Sequence, residues 1–261
     1  MVSGTLATTI GYDIQTDVAF VTLDAPPLNI LSAAIMLDLA AAIERAQREP
    51  SVKAIVLQAQ AGSRAFSAGA DVGEHQPENA PAMIDAFSRL CAALGRSELP
   101  VIAVVDGAAM GAGFELAMMA DILLASDNAK FAQPEIRLGF FAPVGVSWLA
   151  RRIGLSRAIE VTSTGRTYSA AEMHDFGLVS RVVARDELPA ALDATIADLR
   201  RSSALVMRMN VRLTRQLADR PFEEARLEAE RVFLQDLMRT EDVREGIASF
   251  FEKRTPVWRN R

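Results

Sequence analysis

The amino-acid sequence predicts a mixed α/β fold followed by a helical C-terminal region. Up to about Glu187, short runs of apolar and β-branched residues alternate with segments of helical periodicity. This alternation is typical of layered α/β folds. Beyond Glu187 the chain reads as helices with broad apolar faces. Hydrophobic residues make up 50% of the 261 positions, enough for a substantial core.

The first elements follow from local patterns. The stretch "YDIQTDVAFVTLD" predicts a hairpin, which "APPLN" ends. Ser32 is placed to cap a helix over "AAIMLDLAAAIERAQRE", which ends before Pro50. The run "VKAIVLQAQ" predicts a buried strand, and "AGSRAFSAGAD" predicts a loop.

The pattern then repeats. A helix around "APAMIDAFSRLCAALGRS" leads to a strand at "PVIAVVDG", a glycine-rich turn, a helix through "FELAMMA" and a strand at "DILLAS". The C-terminal helical segments are "LPAALDATIADLRRSSALVMRMNVRLTRQLA", "PFEEARLEAERVFLQDLM" and "EDVREGIASFFEKR". An isolated tail of this kind would expose too much apolar surface, so we expect it to pack on the main domain or on a neighbouring subunit.

Composition excludes several classes of function. The formal net charge is -5 without a block of like charges, so no nucleic-acid partner is predicted. The longest apolar region, 99–125, contains three acids, which argues against a membrane span. The start "MVSGTLATTIGYDIQ" lacks the pattern of a secretory signal, and the single cysteine cannot form an internal disulfide. We therefore expect a cytoplasmic protein without a membrane partner.

One carboxylate, Glu115, lies in the otherwise apolar stretch "GAGFELAMMADILLAS". Burial of an ionised carboxylate costs several kcal/mol unless it is paired or its pKa shifts, so Glu115 needs a partner or a function. It follows the small-residue turn "DGAAMGAGFE". A second such turn is "AFSAGAD", and a second acid, Glu135, lies in "AKFAQPEIRLGF". Such turns and acids often serve local structure only. Two carboxylates in one pocket would support acid–base chemistry.

The two histidines and the single cysteine do not indicate a further functional site. Two histidines without a cysteine pair or an acid cluster give little support for a metal, and we expect none. His174 is predicted on a helix surface. His75 could line a pocket, although a solvated loop position is the preferred interpretation. Cys91 is interpreted as small apolar core. No GxSxG motif marks a hydrolase.

These stretches resemble the crotonase superfamily, the enoyl-CoA hydratase/isomerase family. The segments that match, in order, are "AFSAGAD", "LPVIAVVDGAAMGAGFELAMMADILLAS", "AKFAQPEIRLG", "TGRTYSAAEMHDFGLVSRVV" and "EDVREGIASFFEKRTPVW". The resemblance implies a crotonase-like spiral of ββα units over residues 1–190 and a C-terminal helical trimerisation region over 191–261. It also implies a homotrimer or a dimer of trimers.

The resemblance implies a hydro-lyase that adds water to an alkene conjugated with a CoA thioester. Glu115 would hold and deprotonate the water, and Glu135 would deliver a proton to carbon. The backbone N–H groups of Ala70 and Ala112 would form an oxyanion hole for the thioester oxygen. The substrate is an acyl-CoA thioester, and no separate cofactor is implied because coenzyme A is part of the substrate.

Five further residues are implied in binding CoA or the acyl group. Ala68 and Asp71 belong to the loop that in relatives runs beside CoA, and Lys253 matches a cation that in relatives reaches the CoA phosphate. Pro143 occupies a position where relatives place a glycine, and it has no N–H to donate. The water must then be held differently. Together with Phe140, Phe141 indicates an acyl pocket of altered shape.

Within the superfamily, "AGADVGEHQPENAPAMIDAF", "GFFAPVG" and "LMRTEDVREGIASFFEKRTPVWRNR" look most like the cyclohexa-1,5-diene-1-carbonyl-CoA hydratases. The expected reaction is hydration of that cyclic dienoyl-CoA. The alternatives are a straight-chain 2-enoyl-CoA hydratase, an enoyl-CoA double-bond isomerase and, in a different class, a non-catalytic acyl-CoA-binding subunit. Retention of both glutamates favours hydration.

Overall fold

The computed structural model describes residues 9–261. The expectation of no secretory signal rests partly on residues 1–8, which lie outside the described range. The strands are β1 Ile10–Gln15, β2 Val18–Leu23, β3 Ile30–Leu31, β4 Ala54–Ala59, β5 Ala65–Ser67, β6 Gly69–Ala70, β7 Val101–Val105, β8 Ala108–Met110, β9 Ile122–Ser126, β10 Lys130–Ala132, β11 Tyr168–Ser169 and β12 Arg181–Val183.

The described residues also form ten helices. They are α1 Ala33–Arg48, α2 Ala80–Gly95, α3 Ala112–Met118, α4 Pro143–Ile153, α5 Leu155–Thr164, α6 Ala170–Asp175, α7 Leu188–Arg200, α8 Ala204–Leu217, α9 Phe222–Gln235 and α10 Glu241–Glu252. Short 3₁₀ turns cover Val72–His75, Pro134–Leu138, Arg185–Glu187 and Leu237–Arg239. The predicted cap of α1 is confirmed, because the Ser32 hydroxyl accepts a hydrogen bond from the Ile35 N–H.

A six-stranded sheet in the order β1-β2-β4-β7-β9-β12 forms the centre of the molecule. The predicted hairpin supplies its one antiparallel pair, β1 with β2, and the remaining neighbours are parallel. Parallel neighbours need crossover connections, which the intervening helices supply. The mixed α/β prediction is confirmed.

Side chains of this sheet alternate between two cores, as the period of a strand requires. Ile55 and Leu57 of β4 face the main core with α1 and α2, whereas Val56 faces a second cluster. That second cluster contains Leu188 and Leu192 of α7. Helix α7 therefore covers the sheet, and the predicted boundary between residues 190 and 191 falls inside this helix.

The remaining short strands form two smaller sheets. A four-stranded sheet has the order β11-β10-β8-β5, and β3 pairs with β6. The segment predicted as the loop "AGSRAFSAGAD" thus contains β5 and β6, and the predicted glycine-rich turn contains β8. Strands of two or three residues show no readable periodicity, because long-range pairing alone defines them.

The C-terminal helices attach to the core through α8. Arg208 donates to the carbonyl oxygens of Gln47 and Glu49 at the end of α1. The segment predicted as one helix from Leu188 divides into α7 and α8, and the Ser203 hydroxyl caps α8 by accepting from Val206 N–H. Large apolar side chains stay exposed on α9 and α10, among them Phe222 (75%), Phe250 (78%) and Phe251 (77%).

Candidate active site

An apolar cavity of about 260 Å³ lies between the loops after β6, β8 and β10 and the N-terminal ends of α2 and α4. The predicted site residues that line this cavity are Ala68, Ala70, Ala112, Glu115, Glu135, Phe141 and Pro143. The structure thus brings together segments that are up to 75 residues apart, from Ala68 to Pro143. Apart from the glutamates and His75, the lining side chains are apolar or absent.

Glu115 is buried, with 2% of its surface exposed, and the hydrogen-bond donors that it needs lie in helix α4. Its Oε1 atom accepts hydrogen bonds from the N–H groups of Val144 (2.6 Å) and Gly145 (2.9 Å). They belong to the second and third residues of α4, whose N–H groups an N-cap side chain would normally satisfy. The N-cap residue Ala142 has no side-chain acceptor. Glu115 caps α4 from another helix.

Burial nevertheless dominates the protonation of Glu115. Its pKa is raised from 4.5 to about 7, mainly by desolvation; the Gly145 N–H lowers it and the Glu135 charge adds to the rise. Burial also raises the pKa of Glu135, while the nearby His75 lowers it. Like charges that face one pocket disfavour a doubly ionised state. The two carboxyl groups are therefore suited to hold one proton between them near neutral pH.

Glu135 is held against the turn before α3. A Cβ atom on Gly111 would lie 2.5 Å from Glu135 Oε1, and Gly111 has a φ of 53°, which favours glycine. Buried Gln133, with its amide nitrogen toward Glu135, donates to Oε2 and Oε1 at 3.1 and 3.3 Å. Sequence reasoning missed Gln133. The available signal was a polar residue two positions before the candidate acid in "AQPEI".

The two predicted backbone donors lie on adjacent turns. A Cβ atom on Gly69 would lie 2.9 Å from Met110 O and 3.7 Å from Ala112 N, so β6 packs directly against the start of α3. The Asp71 N–H donates to Leu31 O of β3. Since successive strand N–H groups point to opposite sides, the N–H of Ala70 points away from β3. Two backbone N–H groups in this arrangement can donate to one oxygen that gains negative charge.

Two predicted binding residues do not line the cavity. The Asp71 carboxylate accepts a hydrogen bond from Gly73 N–H at 2.8 Å and so caps the 3₁₀ turn that begins at Val72. Lys253 is exposed at the C-terminal end of α10, with a left-handed φ of 53°. Neither side chain contributes to the cavity of its own chain.

The preferred interpretation of His75 as a solvated loop residue is wrong, because His75 is half-buried and lines the cavity. Its imidazole packs against Phe140, with 5.2 Å between ring centroids. The prediction for His174 is confirmed, since it is exposed on α6. Burial raises the pKa of the Cys91 thiol to about 12, so this thiol is not a nucleophile at neutral pH.

Neither a metal site nor a membrane-spanning helix is found among the described residues. Within residues 9–261, no group of three His, Cys, Asp or Glu side chains is arranged to hold a metal ion. No helix in this range is long and apolar enough to cross a membrane.

Paired carboxylates in an apolar cavity, close to two backbone N–H groups, are suited to acid–base chemistry on a carbonyl compound. Comparison with known proteins agrees. Residues 13–261 match the family model described as enoyl-CoA hydratase/isomerase. A probable enoyl-CoA hydratase of Mycobacterium tuberculosis is 39% identical over 250 residues, covering 94% of this chain and 95% of the relative.

Two further relatives extend the comparison. The cyclohexa-1,5-dienecarbonyl-CoA hydratase of Thauera aromatica is 34% identical over 239 residues, covering 92% of each chain. A crystal structure of an enoyl-CoA hydratase from Bacillus anthracis superimposes with a TM-score of 0.91 at 27% identity, covering 97% of this chain and 100% of that one. The chain belongs to the enoyl-CoA hydratase/isomerase family and has the crotonase fold. It is an enzyme of the hydro-lyase type.

Proposed function

We propose that this hydratase acts on a cyclic conjugated dienoyl-CoA, cyclohexa-1,5-diene-1-carbonyl-CoA. The observation that carries the hydratase chemistry is the pair of buried Glu115 and half-buried Glu135 in one cavity. A pair that holds one proton supplies a base and an acid at the same time. Hydration needs both, because water loses a proton to become the nucleophile and a substrate carbon gains one.

The remaining groups have complementary roles in this proposal. The N–H groups of Ala70 and Ala112 donate to the thioester oxygen, which becomes more negative as water adds to the alkene. Donors of this kind are worth roughly 3 kcal/mol each in other enzymes. Glu115 deprotonates the water and Glu135 delivers the proton to carbon. Since Pro143 has no N–H, the two carboxylates hold the water.

The cavity wall and one relative support the cyclic acyl group. Phe140 and Phe141, both lining the cavity, are large and flat, which suits a ring better than an extended chain. The relative from Thauera aromatica carries the name of this activity at 34% identity. A straight-chain 2-enoyl-CoA hydratase is the second candidate, supported by the 39% identical relative. An isomerase or a non-catalytic acyl-CoA-binding subunit would not need both glutamates.

A direct hydration assay tests the proposal. Purified protein is given crotonyl-CoA or cyclohexa-1,5-diene-1-carbonyl-CoA, and the gain of one water is followed by mass. We expect a higher kcat/KM for the cyclic diene. Preference for crotonyl-CoA would support the straight-chain candidate, and a shifted double bond without added water would support the isomerase.

Variants separate catalysis from binding. Glu115→Gln and Glu135→Gln should each lower kcat by at least about 100-fold while CoA-thioester binding is kept. Glu44→Gln is the matched control, because Glu44 is exposed on α1 and pairs with Arg48 at 3.8 Å. Wild-type turnover in both active-site variants would refute the roles given to the pair.

The proposal extends to assembly and to CoA. The exposed rings of α9 and α10, including Phe250 and Phe251, form an apolar surface suited to a subunit interface. We propose a homotrimer or a dimer of trimers in which Lys253 reaches the CoA phosphate of a neighbouring site. No separate cofactor or metal takes part. Mass measurement in solution tests the assembly, and a monomer would contradict it.

A further inference from the structure

A contact between two aromatic rings joins the two catalytic loops across the cavity. His75 belongs to the 3₁₀ turn that follows the oxyanion donor Ala70, and Phe140 belongs to the loop that follows Glu135. Both side chains line the cavity, and their ring centroids lie 5.2 Å apart with planes inclined by 57°. We call this pair, His75 and Phe140, the aromatic bridge.

The ring of His75 is fixed in place by its turn. Its Nδ1 atom lies 2.9 Å from Asp71 O, and since a carbonyl oxygen only accepts, Nδ1 donates. The turn itself is anchored twice. Asp71 caps it through Gly73 N–H at 2.8 Å, and Glu74 Oε2 accepts from Ala33 N–H of α1 at 2.8 Å. One side of the aromatic bridge is thus a rigid part of the wall.

The other side of the aromatic bridge lies where the cavity meets solvent. Phe140 is 43% exposed, and its loop neighbours Leu138 (64%) and Phe141 (67%) are more exposed. A chain that left the cavity at this point would have to pass between His75 and Phe140. With the rings in contact, that exit is closed.

We propose that the aromatic bridge determines specificity, and that it restricts the enzyme to acyl groups that are short or folded into a single ring. This inference rests on the proposed function and names the substrate class for the same site. Aromatic side chains exclude by volume, and one misplaced methylene in an apolar pocket changes kcat/KM by about 10- to 200-fold. A long straight chain is rejected because its methylenes overlap the bridge.

The test compares kcat/KM for trans-2-decenoyl-CoA with kcat/KM for crotonyl-CoA. Wild-type protein should strongly prefer the shorter substrate. His75→Ala and Phe140→Ala should each raise the decenoyl-to-crotonyl ratio by at least about tenfold. His75→Phe should leave the ratio within about twofold, because it keeps a ring but removes both nitrogens.

His174→Ala is the matched control. His174 also has its Nδ1 atom on a backbone carbonyl, Val179 O at 2.8 Å, but it lies on the exposed face of α6. This variant should keep the wild-type ratio. An unchanged ratio in both His75→Ala and Phe140→Ala would overturn the proposal, and so would equal effects of His75→Phe and His75→Ala, which would indicate a hydrogen-bonding role.

Failure of the proposed function is a separate result. If wild-type protein hydrates neither crotonyl-CoA nor the cyclic diene, the proposed function is wrong. Calorimetric binding of crotonyl-CoA and decenoyl-CoA to the same variants then decides the role of the aromatic bridge. Tighter binding of decenoyl-CoA by His75→Ala and Phe140→Ala supports it, and unchanged relative affinities overturn it.

Discussion

Replacing Glu115 with glutamine should make the free energy of unfolding less dependent on pH. In the native protein burial raises the pKa of Glu115 from 4.5 to about 7. The folded state therefore binds this proton more tightly than the unfolded state. The resulting stabilisation is fully present below pH 4.5 and is lost as the pH rises through about 7.

The size of this pH-dependent stabilisation follows from the difference in the pKa of Glu115 between the folded and unfolded states. A shift of this size corresponds to about 3 kcal/mol in total, and between pH 5 and pH 8 the wild-type protein should lose most of this, roughly 2 to 3 kcal/mol, through this group. Glutamine cannot lose that proton. It can keep the contacts with α4, because Val144 and Gly145 both donate to the same oxygen, Oε1, and an amide oxygen can accept from both.

The assay is urea unfolding at pH 5 and pH 8 at one fixed protein concentration, since assembly shifts apparent stability. The difference in free energy of unfolding between wild-type and Glu115→Gln protein should change by roughly 2 to 3 kcal/mol between the two pH values. Glu78→Gln, at an exposed position before α2, should show no such change. Parallel pH dependence in wild-type and Glu115→Gln protein would refute the raised pKa.

Three further changes test the geometry around the pair. Gly111→Ala places a Cβ atom 2.5 Å from Glu135 Oε1 at a φ of 53° and should lower kcat about 100-fold, measured by steady-state hydration. Ala112→Pro removes one N–H at a first helical position that tolerates proline, so circular dichroism should stay unchanged while kcat falls about 100- to 1,000-fold. Gln133→Met removes the amide donor to Glu135, which raises the pKa of this acid and should move the alkaline limb of the kcat profile upward by about one pH unit. Wild-type kinetics in any of the three would contradict the corresponding contact.

Local patterns predicted the elements that local interactions form. Alternation gave the hairpin of β1 and β2, and the hydroxyl of Ser32 marked the start of α1. The break between α7 and α8 was missed, although Ser203 in "RSSAL" is a capping residue of the same kind. Apolar periodicity on both sides of that residue concealed it, because α7 and α8 each present an apolar face.

Such local patterns do not predict contacts between segments that are distant in the chain. The burial of Glu115 was predicted from its apolar neighbours, but its hydrogen-bond donors are 29 and 30 residues away. The same holds for the contact of His75 with Phe140, which lies 65 positions later in the chain. The two-residue strand β6 exists only because β3 lies beside it. Resemblance to a family supplied the positions of the catalytic groups, which periodicity could not.

The position of Glu115 connects the stability of the fold with the chemistry of the site. Helix α4 begins with Pro143, which fixes φ for the first turn, and the N-cap residue Ala142 has no side-chain acceptor. Glu115 supplies the missing acceptor from α3, so one oxygen of the carboxylate is committed to the helix. The other oxygen, Oε2, remains for the cavity. Because the α4 contacts favour the ionised form and burial favours the protonated form, the pKa settles near 7, where one carboxyl group can both take and return a proton.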